Sequence, residues 1–236
     1  MKVIIKSLLD LFDYFTQKKI LKEIKNQLKL ERPITLIDVG AHKGEYISSI
    51  KKNFPIKKIY AFEPNSEIFN ILKKKNFNDK ISIYNFGISN EEKKILFNKN
   101  IESSSSSIND LNKNSKYFKK KFFLLNFFSL KNISKKIEIE VLRLDKFILS
   151  NNINIIDLLK IDTEGYEYQV LNSLDSQISR INLIHFEHHY DDMIIKKYKF
   201  TDIHNLLKKN NFEKVFKIKM KFRKSFEYIY KNTKFA

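Results

Sequence analysis

Gly40 and Gly44 stand four residues apart in Asp38-Val39-Gly40-Ala41-His42-Lys43-Gly44, directly after the apolar run Thr35-Leu36-Ile37. Glycine lets a backbone approach a ligand where a Cβ would block it. The chain holds 4 glycines in all, so two in one turn is a signal rather than background. Glu63 follows 23 residues after Gly40 and closes the run Lys58-Ile59-Tyr60-Ala61-Phe62. That is near the spacing at which an acid meets ribose hydroxyls in a nucleotide-binding half-fold. Two further polar clusters close apolar runs: Asp162-Thr163-Glu164-Gly165 after 155–161, and Glu187-His188-His189 after 181–186. A carboxylate or imidazole so placed has the chemistry to move a proton.

These residues need elements to position them, and the hydrophobic pattern supplies strand–helix alternation. Strands are expected at 35–39, 57–62, 81–86, 93–97, 137–144, 155–161 and 181–186. Helices are expected near 44–53, 66–75, 145–151, 166–174 and 200–210, with Ser66 a cap and Glu67 in a first turn. Strands at 212–219 and 225–231 form a C-terminal antiparallel hairpin. The fold class is α/β and Rossmann-like, with a mostly parallel seven-stranded sheet and helices on both faces. In such sheets ligands sit at the carboxyl ends of the strands, where Asp38, Glu63, Asn85, Gly87, Asp162, Glu164 and the histidines fall. Residues 1–32 read as an N-terminal helical extension, with Leu8, Leu11, Phe12, Phe15, Leu21, Ile24 and Leu28 at helical spacing. That face is expected to pack on the domain of residues 33–236; a membrane-surface or dimer contact is the alternative. The stretch 101–134 interrupts the rhythm with five serines and the aromatic run that starts at Tyr117, and it reads as an inserted lid.

Composition narrows the class. The 236 residues, 42% hydrophobic and 14% aromatic, suit one folded domain. With Cys 0, disulfides, thiolate nucleophiles and zinc–cysteine sites are excluded. Lys6 and Asp10 break the apolar run too early for a secretory signal, and no stretch has the roughly 18 apolar residues of a membrane span. The expectation is a soluble, cytoplasmic protein, with contact to the inner membrane face as an alternative. The net charge of +18 reads as a solvated lysine surface. Base readout favours arginine forks, and arginine stands only at 32, 143, 180 and 223. Attraction to an anionic membrane or glycan comes second.

The segments Asp38 to Tyr46, Phe62-Glu63-Pro64-Asn65, and Leu159-Lys160-Ile161-Asp162-Thr163-Glu164-Gly165-Tyr166-Glu167 resemble the sequential signatures of the FkbM family of methyltransferases. The likeness runs over about residues 34–190. It implies a class I fold, S-adenosyl-L-methionine as cofactor, and O-methylation of a sugar, glycan precursor or other small hydroxylated metabolite. Carried onto this chain, Asp38, Gly40, His42 and Gly44 form the loop around the methionine part. Glu63, followed by Pro64, accepts from the ribose hydroxyls, Asn85 and Gly87 lie beside the adenine, and Asp162 and Glu164 sit where the methyl projects. Each has a plainer reading: Asp38 as a turn acid, Glu63 as a solvated strand end, Asp162 and Glu164 as cofactor or cap acids.

Methyl transfer to a hydroxyl needs alignment and removal of the acceptor proton, which makes Asp162, His188 and His189 the candidate bases. His185, Glu187 and His189 alternate along a strand and share a face. With Asp162 they compose a possible divalent-ion site, although a hydrogen-bonded strand end explains them better and no metal ligand is assigned. An RNA methyltransferase is the runner-up, and a non-enzymatic module binding nucleic acid or a membrane surface the third reading. A nicotinamide enzyme fits less well, because the turn is Gly-x-x-x-Gly rather than Gly-x-Gly-x-x-Gly.

Overall fold

The computed structural model describes residues 2–29, 31–75, 77–100, 106–112, 114–119 and 134–235. Of the expected lid, 101–105, 113 and 120–133 lie outside the described residues.

β1 (Ile34–Val39) is buried along its whole length, as a strand covered on both faces must be. It pairs in parallel with β2 (Ile56–Phe62) on one side and β7 (Ile156–Ile161) on the other. β3 (Ile81–Tyr84) extends the sheet beyond β2, and β8 (Ile181–His189) beyond β7. The hairpin of β9 (Phe212–Lys219) and β10 (Ser225–Asn232) completes it through antiparallel β10–β8 pairing. The order is β3-β2-β1-β7-β8-β10-β9. The direction of winding reverses between β1 and β7, the crevice where α/β sheets take ligands.

α1 (Lys2–Leu28) and α2 (Glu45–Asn53) cover one face. There Ile20, Ile24, Ile47 and Ile50 pack with Leu36, Leu158 and Leu183. α3 (Ser66–Lys73) adds Leu72 to this layer. The opposite face carries α4 (Leu144–Ser150), α5 (Glu167–Asn172) and α6 (Phe200–Lys209), which contribute Ile148, Val170, Ile203 and Leu207 to a core with Ile37, Leu159 and Ile184. A 3-10 helix (Asp175–Arg180) links α5 to β8.

The register explains this division. Leu36, Leu158 and Leu183 are cross-strand partners, and so are Ile37, Leu159 and Ile184. Successive rows of a sheet face opposite ways. The next row, Asp38, Lys160 and His185, therefore returns to the α1/α2 face, just below the strand ends.

Four expectations change. β8 runs to His189 instead of ending at 186, because β10 pairs with it as far as Ser225 opposite His189. β3 stops at Tyr84 instead of 86, and the Asn85 side chain donates to the carbonyls of Glu63 and Pro64 instead of a ladder partner. β4 (Gly87–Ile88), β5 (Lys93–Asn100) and β6 (Ser134–Leu142) form a separate three-stranded sheet, ordered β4-β6-β5, that the sequence did not announce. Within α1, Leu21, Ile24 and Leu28 are buried as expected, but Leu11 and Phe15 are exposed.

Candidate active site

The turn after β1 is built on glycine. Gly40 has φ +86°, and a Cβ there would overlap the backbone carbonyl oxygen of Asp162, so β1 and β7 close together only with glycine at this position. The Asp162 amide donates to the Val39 carbonyl at 2.9 Å, and the Gly40 and Ala41 amides donate to the Phe62 carbonyl at 3.0 and 2.9 Å. The ends of β1, β2 and β7 are thereby tied at one point. Gly44, at φ +79°, then caps α2.

Glu63 is nearly fully buried. Its Oε2 accepts from the His42 amide at 2.9 Å and its Oε1 from the Asn65 amide at 2.8 Å. Burial raises its carboxyl above the usual range despite those two donors. An ionised carboxylate has about four acceptor sites, so capacity remains for two hydroxyls. Asn85 braces this corner through Glu63, Pro64 and Ser66. Gly87 lies in β4, where a Cβ would meet Val141 Cγ1 at 3.1 Å and Pro64 Cβ at 3.6 Å.

Asp38 is buried, and its Oδ2 has no hydrogen-bond partner among the described residues. Burial pushes its carboxyl up to about 7; Lys160 opposes this, while Asp162 and Glu63 add to it. Lys160 itself is buried, 3.4 Å from Asp162 Oδ2 and 3.6 Å from Glu227 Oε2, with no aligned hydrogen bond at its Nζ among the described residues. Burial works against the ammonium, but Asp162 and Glu227 outweigh it and hold the group above its ordinary value. His185 Nε2 lies 2.9 Å from Glu227 Oε2, out of line for a hydrogen bond, and its Nδ1 is 3.1 Å from Tyr46 Oη. Burial and Lys160 lower His185 and keep it neutral. Burial resists ionisation of Glu227, yet the Lys160 ammonium holds its carboxyl at about 2.

Two rows further along β8 and on the same face, Glu187 is buried with its Oε1 unpartnered among the described residues. Burial pushes it up to about 7 against the pull of His189, with Glu227 and Asp162 raising it further. His189 Nε2 stands 3.2 Å from Glu164 Oε2 and 3.7 Å from Glu187 Oε1, and its Nδ1 is 3.5 Å from Asp191 Oδ2. Burial opposes its protonation, but Glu164 and Asp191 prevail and hold it well above the ordinary value. His189 is thus an imidazolium at neutral pH.

His188 is the site candidate that the fold takes elsewhere. Because β8 continues through it, alternation turns its ring to the other face of the sheet. It packs there against Tyr190, Tyr198 and Phe200, at centroid distances of 4.8, 5.9 and 5.5 Å. Burial, Lys196 and His189 lower it to about 3. It is a neutral core side chain, away from Asp162.

The turn 163–165 is held from two sides. Buried Glu167 accepts from Thr163 Oγ1 at 3.1 Å, from the Gly165 amide at 2.8 Å and from the Tyr198 hydroxyl. From the expected lid, Ser107 Oγ donates to the Glu164 carbonyl at 2.7 Å and the Asn109 side chain donates to the Gly165 carbonyl. Phe118 packs with Met193 and Ile194. The described part of that segment clasps the site.

Asp38, Gly40, His42, Gly44, Glu63, Pro64, Asp162, Glu164 and His189 therefore gather along one edge, with Asn85 and Gly87 bracing its β2–β3 corner. Among the described residues, no three histidine, aspartate or glutamate side chains converge as metal ligands, and the Lys160 ammonium stands among the carboxylates. Lys160, Glu227 and Tyr46 were not among the expected site residues, and Glu187 was expected only in the strand-end cluster and as part of a divalent-ion set, not as a base. A lysine inside the apolar run Leu158-Leu159-Lys160-Ile161 was a signal; Glu227 had none until its register opposite Glu187 was known.

This sheet order, with a ligand crevice between β1 and β7 and an acid closing β2, is that of class I S-adenosylmethionine-dependent methyltransferases. A magnesium protoporphyrin IX methyltransferase from Synechocystis PCC 6803, solved with bound S-adenosylmethionine, shares the fold with TM-score 0.53 at 8% identity, over 94% of this chain and 81% of that one. A methyltransferase FkbM from Methylobacillus flagellatus KT aligns with TM-score 0.53 at 14% identity, over 84% of this chain. The match spans 44% of that protein's length. No curated protein matches the chain. The methyltransferase FkbM domain matches residues 38–214, and the chain belongs to the FkbM methyltransferase family.

Proposed function

We propose that the protein is an O-methyltransferase that moves a methyl group from S-adenosylmethionine to a hydroxyl of a sugar, glycan precursor or other small metabolite. The observation that carries this reading is Asp38 Oδ2, buried without a partner among the described residues, on the strand-end edge that also holds Glu63, Asp162 and Glu187. A buried acceptor without a donor costs about 1–3 kcal/mol, and a cationic ligand such as the cofactor's ammonium removes that cost. The residues present fit this cofactor. Asp38 receives its ammonium, the Gly40–Gly44 turn and His42 line its amino-acid end, and Glu63 takes its ribose hydroxyls. Pro64, Asn85 and Gly87 form the adenine side. When bound, it supplies a sulfonium methyl.

Glu187 is the base in this reading. Ionised, it accepts the acceptor's hydroxyl proton as the new O–C bond forms. Asp162, beside the Lys160 ammonium, holds the acceptor in line, while Glu164 keeps His189 protonated. His189 then acts as a fixed positive charge next to Glu187, not as a second base.

Incubation with methyl-labelled cofactor and a panel of nucleotide sugars, oligosaccharides and RNA, read by mass spectrometry, tests the assignment. Label on a sugar hydroxyl is expected; label on RNA alone would overturn the acceptor class. Calorimetry gives the cofactor arm. Glu63→Ala is expected to weaken cofactor binding by at least about tenfold, the loss of one charge-assisted hydrogen-bond pair. Wild-type protein that binds no cofactor would end the reading.

A further inference from the structure

The N-terminal half of α1 carries apolar side chains that the domain does not use. Leu11, Tyr14 and Phe15 are 49%, 59% and 52% exposed. With Lys18 and Lys22, both exposed, they follow helical spacing and share one face. The buried stripe of Thr16, Ile20 and Ile24 points the other way, toward the sheet.

The β9–β10 hairpin turn meets this stretch of α1. Phe222 at its tip is 69% exposed and stands edge-on to Phe12 at 5.4 Å, and Arg223 pairs with Asp13. Four of the ten large hydrophobic side chains exposed among the described residues are therefore gathered at one end of the molecule. Lys219, Lys221 and Lys224 flank the tip, all exposed. Single exposed apolar residues need no explanation, but a gathered aromatic patch rimmed by charge marks a contact surface.

The charge decides what the patch contacts. A second copy would set lysine against lysine, and like charges across an interface disfavour it. An anionic bilayer accepts both features, with aromatic rings at headgroup depth and lysines against its negative surface. The turn also lies at the active edge: the Tyr190 amide donates to the Lys224 carbonyl at 2.7 Å, and Ser225 pairs with His189.

We propose that the α1 stretch around Leu11–Phe15 and the Phe222 hairpin tip form one docking surface for an anionic membrane, which brings the mouth of the site to the bilayer. Co-sedimentation with phosphatidylcholine vesicles, with and without phosphatidylglycerol, tests this. Binding is expected to be at least about tenfold tighter to the anionic vesicles and to weaken with salt. Phe222→Asp is expected to reduce it about tenfold. Phe222 has φ +59°, a conformation aspartate accepts more readily than phenylalanine, so this variant retains the fold. The pair Lys18→Gln and Lys22→Gln checks the charge arm and is expected to lower anionic-vesicle binding by a similar factor. Equal affinity for both vesicles, or none for either, overturns the proposal. So does a dimer by light scattering that Phe222→Asp dissolves, or salt-sensitive RNA binding by protein that ignores vesicles. Calorimetric cofactor binding unchanged in Phe222→Asp separates this result from the methyltransferase reading.

Discussion

Glu187 and His189 stand two residues apart on one strand face, and burial opposes the charge of both, yet they end in opposite states. Glu187 Oε1 has no aligned donor among the described residues, so burial dominates and the carboxyl rises to about 7. His189 meets Glu164 and Asp191, and their charges overcome burial. An acid must be ionised to take a proton, so kcat at saturating cofactor is expected to rise with pH through about 7 and then level off. Glu187→Gln should lower kcat by roughly 10²–10⁴ and flatten that limb. His189→Gln removes a cation that favours the carboxylate, so the limb should move to higher pH. Asp38 also sits at about 7, but Asp38→Asn acts on cofactor affinity and leaves the kcat limb in place. A flat wild-type profile through neutral pH would remove Glu187 from the role of base. Little of this could be read in advance. Glu187 and the histidines were visible as a cluster, but which of them is neutral depends on partners distant in sequence, such as Glu164.

At the scale of elements, the turn after β1 was the most legible part of the site. Gly40 was expected to permit a ligand's approach; in the structure it first permits the approach of β7, whose Asp162 carbonyl occupies the space of a Cβ. Gly40→Ala should therefore cost stability as well as cofactor binding. At least ~2 kcal/mol is expected from the left-handed backbone and the overlap together. Gly87 has no such backbone strain, and the nearest atom a Cβ there would meet is in the Val141 side chain at 3.1 Å, so Gly87→Ala should cost less than about 1 kcal/mol. Urea titration of the two variants compares them, and equal losses would refute the close-approach account. β1, β2 and β7 were readable because each is a short, mostly apolar run followed by an acid or glycine. The extent of β8 was not, because its last three residues are polar and become strand only by pairing with β10. That extension decides the fate of His188: a loop would have let it join Asp162, whereas a strand sends it to Tyr198 and Phe200. Strands at 93–97 and 137–144 were expected, but their grouping with β4 into a separate sheet was illegible for a related reason, since β4 is two residues long and exists through its pairing with β6.

For the whole molecule, charge and core lead to different conclusions about the N-terminal helix. Its periodicity reads as one amphipathic helix whose whole apolar face packs on the domain of residues 33–236, but the structure divides that face. The first described apolar side chains, Leu11, Tyr14 and Phe15, face away from the fold. Ile20, Leu21, Ile24 and Leu28 fill the same cluster as Leu36, Leu158, Leu183 and Ile229, drawn from β1, β7, β8 and β10. Spacing alone cannot distinguish these halves, since it reports a face and not what lies against it. Each such aliphatic side chain contributes about 1.5–3 kcal/mol on burial, against about 5–15 kcal/mol of total stability for a domain. Removing residues 1–32 is thus expected to abolish cooperative unfolding of the remainder, although the family match begins only at residue 38. Ile24, fully buried, supplies a milder form of the test. Ile24→Ala should cost about 2–5 kcal/mol in urea titration, while Phe15→Ala, on the exposed face, should fall within about 0.5 kcal/mol of wild type. A truncated chain that melts cooperatively at the wild-type temperature would show that the second half of α1 is an appendage rather than part of the core.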